Sequence, residues 1–414
     1  MRNLVVCCDG TWQAARNRTN VWRLFELLDL PDEQKVYVEG VGTGGLLNRL
    51  EGALTAAGLE RTLLQGYRFL VDRYQAGDRI SLFGFSRGAY TARSLAGMIG
   101  RVGIVDRTGL DDGQRDAAVR RAYERYRALR AELRDQRSDG RRTGPEMVVA
   151  PGSDELPLVY HPDSPDIPVA FIGVWDTVGA LGIPSYIGVP DLFGTRKRYE
   201  FLNVVLDPRI PHARHAVALD EMRGPFRPTL WKHEPGAAPT QDIEQVWFPG
   251  DHQDVGGGRT DTRLSDGTLQ WMVVEASAAV GLPFRPEGVA ALDPDPAPGA
   301  VHGMPQGGPV GAAFEVAFQP RPRAVPLVDP DRPLPEVAPP AHELQKRTQH
   351  LPPAQQYRPS RTLQPGEHGQ TTVEASRGWN ATDLWLEADV RYAFAAEGEW
   401  STPFGHSGPA GIAR

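Results

Sequence analysis

Residues 82–90 read LFGFSRGAY, which sets Ser86 in a G-x-S-x-G pentapeptide. A serine hydroxyl attacks a carbonyl only when a base takes its proton, and that base works best when an acid orients it. The local context suits a nucleophile elbow: an apolar run precedes Ser86, and a helical pattern with small residues (Ala89, Ala92, Ala96, Gly97) follows. The flanking glycines let strand and helix approach, and a helix amino terminus beneath the serine favours developing negative charge. Downstream, Asp176 follows VAFIGVW and His252 follows VWFPG. The order Ser86, Asp176, His252 is that of an α/β-hydrolase triad, with Asp176 orienting the imidazole and His252 moving the proton. The expected oxyanion donors are the amide of Arg87 and that of Gly10 or Thr11 in the DGTW loop. Asp9 and Asp254 are candidate supporting residues, Asp9 by capping the next element or holding its own loop.

Other constellations compete for these residues. Asp251 and Asp254 flank His252, where either could serve as the acid or simply cap VGGG. His212 and His215, in PHARHAVALDE, fall at an expected helix start and are rival bases. Gly40, Gly42 and Gly45 satisfy G-x-G-x-x-G, but Glu60, at the distance where a dinucleotide site needs an acid at a strand end, falls inside a helical pattern. Asp9, Asp176, Asp251, His252 and Asp254 together suggest a divalent-metal site for phosphoester hydrolysis. That reading leaves the serine idle, and the expectation is no metal and no cofactor.

The elements that would position Ser86, Asp176 and His252 are short apolar runs at 4–8, 35–40, 79–85, 169–175 and 243–250. Continuous apolar runs suit parallel strands covered on both faces. Helical patterns such as 60–74 and 87–99 lie between them, so the fold expected is α/β: α/β-hydrolase-like, a mainly parallel sheet with helices on both faces. Each run ends in polar or Gly-rich residues, at the sheet edge where such folds bind ligands. Residues 111–142 are Arg-rich, with Val119, Ala122, Tyr123, Tyr126, Leu129 and Leu133 at helical spacing. This is a helix docked on the domain, a helical cap over the site, or a basic face for anionic lipid headgroups.

A catalytic domain is expected over 1–285, a Pro/Gly-rich wrapping segment or linker over 286–375, and a short β-rich segment over 376–414, where DLWLEADVRYAFAAEGEW suggests two short strands. The chain of 414 residues is 40% hydrophobic and 23% charged, ordinary for a globular protein. Its net charge of −7 argues against nucleic acid as a partner. Cys7 and Cys8 are adjacent in an apolar run and point to opposite faces of a strand, so they are read as buried free thiols. The start MRNLVVCCDGTW lacks the pattern of a cleaved signal peptide, and no run reaches the roughly 18 apolar residues of a membrane span. The expected location is cytoplasmic, or exported without a cleaved signal peptide.

VVCCDGTW, TNVWRL, YVEGVGTGG, GDRISLFGFSRGAYTARSLAGMI, FIGVWDTVGALG, HAVALDEMRGPFRPTLW and VWFPGDHQDVGGG occur in that order from residue 3 to about 275. Together they resemble a bacterial α/β-hydrolase family of uncharacterised domains that includes the phospholipase effectors of type VI secretion. The resemblance implies a lipase-like hydrolase, with the family's serine at Ser86, its Asp of WDTVG at Asp176 and its His of H-x-DVGGG at His252. The function expected is cleavage of carboxylic esters, lipid or phospholipid acyl esters foremost, through an acyl-enzyme. The substrate is the expected partner, with contact to a membrane surface as a further expectation. The alternatives are a binding or delivery protein with an inactive or secondary hydrolase domain, and a metal-dependent phosphoesterase.

Overall fold

Strand β1 (Asn3–Cys8) is the first of a parallel set, and its alternation shows how the sheet is covered. Leu4, Val6 and Cys8 join one apolar cluster, while Val5 and Cys7 join another on the opposite face. Full burial of such side chains contributes about 1.5–3 kcal/mol each. A strand with apolar residues at every position is therefore stable only when both faces are covered. The computed structural model describes residues 2–10, 13–40, 56–138, 156–179, 206–231, 241–295 and 323, with short stretches at 336–337, 361–364, 366–370, 384–385, 391–398, 400–402 and 405–407.

The elements after β1 are α1 (Asn20–Leu27), β2 (Lys35–Val38), α2 (Ala56–Arg73), β3 (Arg79–Phe85), α3 (Arg87–Val102), β4 (Ile104–Val105), α4 (Asp112–Ser138), β5 (Leu158–Tyr160), β6 (Val169–Trp175), β7 (His212–Ala218), β8 (Asp242–Phe248), α5 (His252–Gly256), α6 (Arg263–Val280), α7 (Pro286–Ala290) and β9 (Glu336–Val337). The main sheet runs β2-β1-β3-β6-β7-β8-β9, with every neighbouring pair parallel. Residues of α2, α3 and α4 cover one face, and residues of α1 and α6 cover the other. This is the doubly covered α/β-hydrolase-like sheet expected from the apolar runs. Ser86, Asp176 and His252 follow β3, β6 and β8 at their carboxyl ends.

The expected helix start at His212 and His215 is a strand instead. β7 lies in the sheet between β6 and β8, with Arg214 and His215 buried in it. Two polar residues in a buried strand hide its period, and their partners come from other elements. Arg214 pairs with Asp242 at 2.6 Å and Glu275 at 2.7 Å, while His215 accepts a backbone amide. His212, at the amino end of β7, pairs with Asp242 at 3.3 Å, at the opposite end of the strand from the site edge.

Within α4, Ala118, Val119, Ala122, Tyr126 and Leu129 are buried and Tyr123 is partly so. That stripe docks on α2 and α3, aided by Arg68 pairing with Asp112 and Asp116 and by Arg115 pairing with Asp72. The side chain of Leu133 and residues 139–142 lie outside the described residues. Beyond 285, Glu336–Val337 adds an edge strand to the main sheet. Arg361–Thr362 pairs in parallel with Leu384–Trp385, and Trp400–Thr402 pairs antiparallel with Gly405–Ser407. Cys7 and Cys8 are free and buried; burial raises Cys7 well above its ordinary range and pushes Cys8 up to about 12.

Candidate active site

The turn from β3 into α3 depends on two glycines. A Cβ on Gly84 would lie 2.5 Å from the Gly88 carbonyl oxygen, and one on Gly88 would lie 2.1 Å from the Cys8 carbonyl oxygen. Between them Ser86 takes φ 58° and ψ −121°, a conformation that L side chains rarely adopt. Its amide donates to the Trp175 carbonyl at 3.0 Å, so the strained residue is tied to β6. Its side chain caps no helix amide.

The Ser86 hydroxyl instead lies 2.8 Å from His252 Nε2. His252 Nδ1 lies 2.6 Å from Asp176 Oδ2. A carboxylate only accepts, so Nδ1 carries the ring proton and Nε2 is left to accept from the serine. His252 opens α5, and its neighbours set that start. Asp251 accepts the amides of Gln253 and Asp254, Asp254 returns the bond to the Asp251 amide, and Arg259 pairs with both carboxylates. The two acids flanking His252 are therefore engaged in the cap. Phe85 and Phe226 flank the imidazole, with ring centroids 4.5 and 4.9 Å away. Gly256 allows this, because a Cβ there would lie 1.9 Å from the Phe85 ring.

Asp176, fully buried, also has positive φ, at 37°. Its Oδ1 accepts the Ala218 amide at 3.0 Å. Arg323 donates to both oxygens, Nη1 to Oδ1 at 2.5 Å and Nη2 to Oδ2 at 2.9 Å. Burial alone would raise this carboxyl, but the Arg323 charge and the bonds from His252 and Arg323 hold it far below the carboxylate range. The next residue, Thr177, donates its amide to His215 Nε2 at 3.1 Å. His215 is buried, and burial, reinforced by the Arg93 charge, lowers its pKa to about 3. This neutral ring supports the Asp176 loop, and its Nε2 is bonded to the Thr177 amide rather than to Ser86.

Asp9 is buried beside the nucleophile, accepting from Thr19 Oγ1 and Tyr37 Oη at 2.5 Å each and from the Gly10 amide at 2.7 Å. Thr19 also caps α1, and Asn20 bonds Val255, Ser265 and Thr268, which ties that loop to α5 and α6. A Cβ on Gly10 would approach Ser86 Cβ to 3.3 Å, so the DG turn abuts the serine. The Gly10 amide is bonded to Asp9, and Thr11 lies outside the described residues. Arg87 is the first residue of α3, at the helix amino terminus. Gly42 and Gly45 lie outside the described residues; Gly40 donates its amide to Gln13, and Glu60 is inside α2. Asp9, Asp176 and the Asp251–Asp254 pair have separate partners, and no group of three or more His, Cys, Asp or Glu among the described residues is arranged to hold a metal.

Four neighbours of the site were not among the expected site residues: Tyr37, Glu221 and Phe226, which lie within the quoted motifs YVEGVGTGG and HAVALDEMRGPFRPTLW, and Arg323, which lies in none. Glu221 is buried, accepts the His252 amide at 3.3 Å and pairs with Arg223 at 2.6 Å. Burial would raise Glu221, but Arg223 overrides it and the carboxyl is lowered.

Residues 2–275 match the family described as T6SS, Phospholipase effector Tle1-like, catalytic domain. The chain belongs to that Tle1-like family. Uncharacterized protein YEL023C of Saccharomyces cerevisiae is 29% identical to the Tle1-like chain over 245 residues, 55% of this chain and 32% of the yeast protein. The crystal structure of an uncharacterized protein from Pseudomonas aeruginosa aligns at 17% identity and TM-score 0.36, over 71% of this chain and 49% of that one. A structure of the Tle1 effector bound to the VgrG spike from the Type 6 secretion system aligns at 20% identity and TM-score 0.30, over 62% and 51%. The Tle1-like chain thus spans about a third of the yeast protein and about half of each structure.

Proposed function

We propose that this chain is a serine esterase that cleaves acyl esters of lipids, phospholipids foremost, through an acyl-enzyme on Ser86. The observation that carries the proposal is the unbroken line Ser86 Oγ, His252, Asp176, with contacts of 2.8 and 2.6 Å, on a strained turn that leads into a helix. In the first half-reaction His252 Nε2 takes the hydroxyl proton while Oγ bonds to the ester carbonyl carbon. The C–O bond to the alcohol then breaks, and His252 returns the proton to the leaving oxygen. Water repeats the sequence with the same base and releases the fatty acid. Asp176 holds Nδ1–H and stabilises the imidazolium that forms in each step. The oxyanion falls to the Arg87 amide at the start of α3, where the helix dipole assists; the Gly10 amide already donates to Asp9, which leaves the second donor to the Thr11 amide that the sequence also offered. The preference for phospholipid rests on the Tle1-like match.

A fluorophosphonate probe tests the nucleophile directly: it should label the wild type at Ser86 and leave Ser86→Ala unlabelled. A folded Ser86→Ala protein that cleaves short-chain esters at the wild-type rate would sink the proposal. Purified protein incubated with phospholipid and neutral-lipid vesicles then reads the substrate class from the fatty acid released.

A further inference from the structure

The residue that completes the hydrogen bonding of Asp176 lies outside the matched catalytic domain, which ends at residue 275; Arg323 is 48 positions further on. Its side chain is 4% exposed and makes four bonds. Two go to the Asp176 oxygens, at 2.5 and 2.9 Å, one to the Ala218 carbonyl at 2.6 Å and one to the Phe226 carbonyl at 2.5 Å. The guanidinium therefore joins the ends of β6 and β7 to the 224–226 turn, whose Phe226 ring packs edge-on against His252. With the Ala218 amide and His252 Nδ1 added, Asp176 accepts four bonds, about the capacity of a carboxylate.

Resting on the reading of Ser86 as nucleophile, we infer that Arg323 is a positioning residue: it fixes the Asp176 carboxylate for His252 and offsets the negative charge that the imidazole faces, making one residue beyond the matched domain part of the catalytic apparatus. A planar fork is suited to this because it fixes both oxygens at once. Its charge also matters. His252 faces Asp176 and Glu221 as anions and Arg323 and Arg223 as cations, with Asp251, Asp254 and Arg259 on or beside its own helix. Behind Asp176 lie neutral His215 and the Arg93 side chain. Removal of Arg323 leaves one anion uncompensated, which favours the protonated imidazole. The serine then loses its base at a higher pH.

The test uses the full chain and follows the pH dependence of both short-chain ester hydrolysis and fluorophosphonate labelling of Ser86, with thermal unfolding to confirm folding. Arg323→Gln removes the charge but keeps a donor; its acid limb should move up by about one pH unit. Arg323→Lys keeps the charge but loses the fork; its limb should stay in place while the plateau falls about tenfold. A folded Arg323→Gln protein with the wild-type limb would overturn the inference, as would an Arg323→Lys limb displaced as far as that of Arg323→Gln. Should Arg323→Gln not fold, an Arg323→Lys plateau at the wild-type level overturns the positioning role by itself. Ser86→Ala in the same series separates the two ideas, since retained hydrolysis there removes the nucleophile reading whatever the Arg323 variants do.

Discussion

The Tyr37 hydroxyl donates to Asp9 Oδ2 at 2.5 Å, in the loop that abuts the nucleophile. Burial pushes the Asp9 carboxyl up, and the bonds from Thr19, Tyr37 and Gly10 only partly counter it, leaving it at about 6. A carboxyl raised on folding favours the folded state when protonated. Its contribution is therefore complete below the unfolded value of 3.8 and is lost as pH rises to about 6. Chemical denaturation of the wild type and Asp9→Asn should show the wild type losing about 2 to 3 kcal/mol relative to the variant between pH 3.8 and 7. A difference that stays constant over that range would contradict the assignment.

His215 acts in the opposite direction. Its folded value of about 3 lies below the ordinary 6.5, so its contribution is complete above 6.5 and falls as the pH drops towards 3. By pH 5 the wild type should have lost about 2 kcal/mol relative to His215→Gln, whose side-chain oxygen can still accept the Thr177 amide. Urea titrations at pH 7 and pH 5 measure the difference. Parallel stability curves for the two proteins would refute it.

On the proposed mechanism, Asp176→Asn leaves the shape of the site intact but presents an amide to His252 Nδ1. Turnover should fall about 10 000-fold, and Ser86→Ala or His252→Ala by at least as much. A double variant lacking both Ser86 and His252 should be no worse than either single one, because the residues act as a unit. Additive losses in steady-state kinetics would argue for independent roles.

Gly88→Ala is a structural test of the elbow. The added methyl would meet the Cys8 backbone oxygen at 2.1 Å, and backbone in a covered strand has little room to yield. The loss should be at the upper end of overpacking effects, about 3 kcal/mol. Gly109, also at positive φ (75°) but with no atom within 4 Å of an added Cβ, serves as the control for strain without a clash. If the two alanine variants lose equal stability, close packing is not what demands Gly88.

The covered strands were legible because β1, β3 and β6 are apolar at nearly every position, a pattern that survives without knowledge of neighbours. Ser86, Asp176 and His252 could be chosen because chain order and strand ends are properties of the linear sequence. β7 was not legible, since Arg214 and His215 are compatible with a strand only once Asp242, Glu275 and Thr177 are in place around them. Arg323 stands in QPRPRAV with no motif, and its partners Asp176 and Phe226 lie 147 and 97 positions earlier. Tyr37 likewise becomes a site residue only through the parallel pairing of β2 with β1, which brings it alongside Cys7, two residues before Asp9.

The two thiols of β1 are packed into opposite faces of the sheet, where burial disfavours the reactive thiolate. They are also the only cysteines in the chain. Maleimide chemistry would therefore find no native competitor in the folded protein. A single cysteine introduced on the exposed side of α4, for instance in place of Arg120, would carry a fluorophore at one known position without prior removal of Cys7 or Cys8.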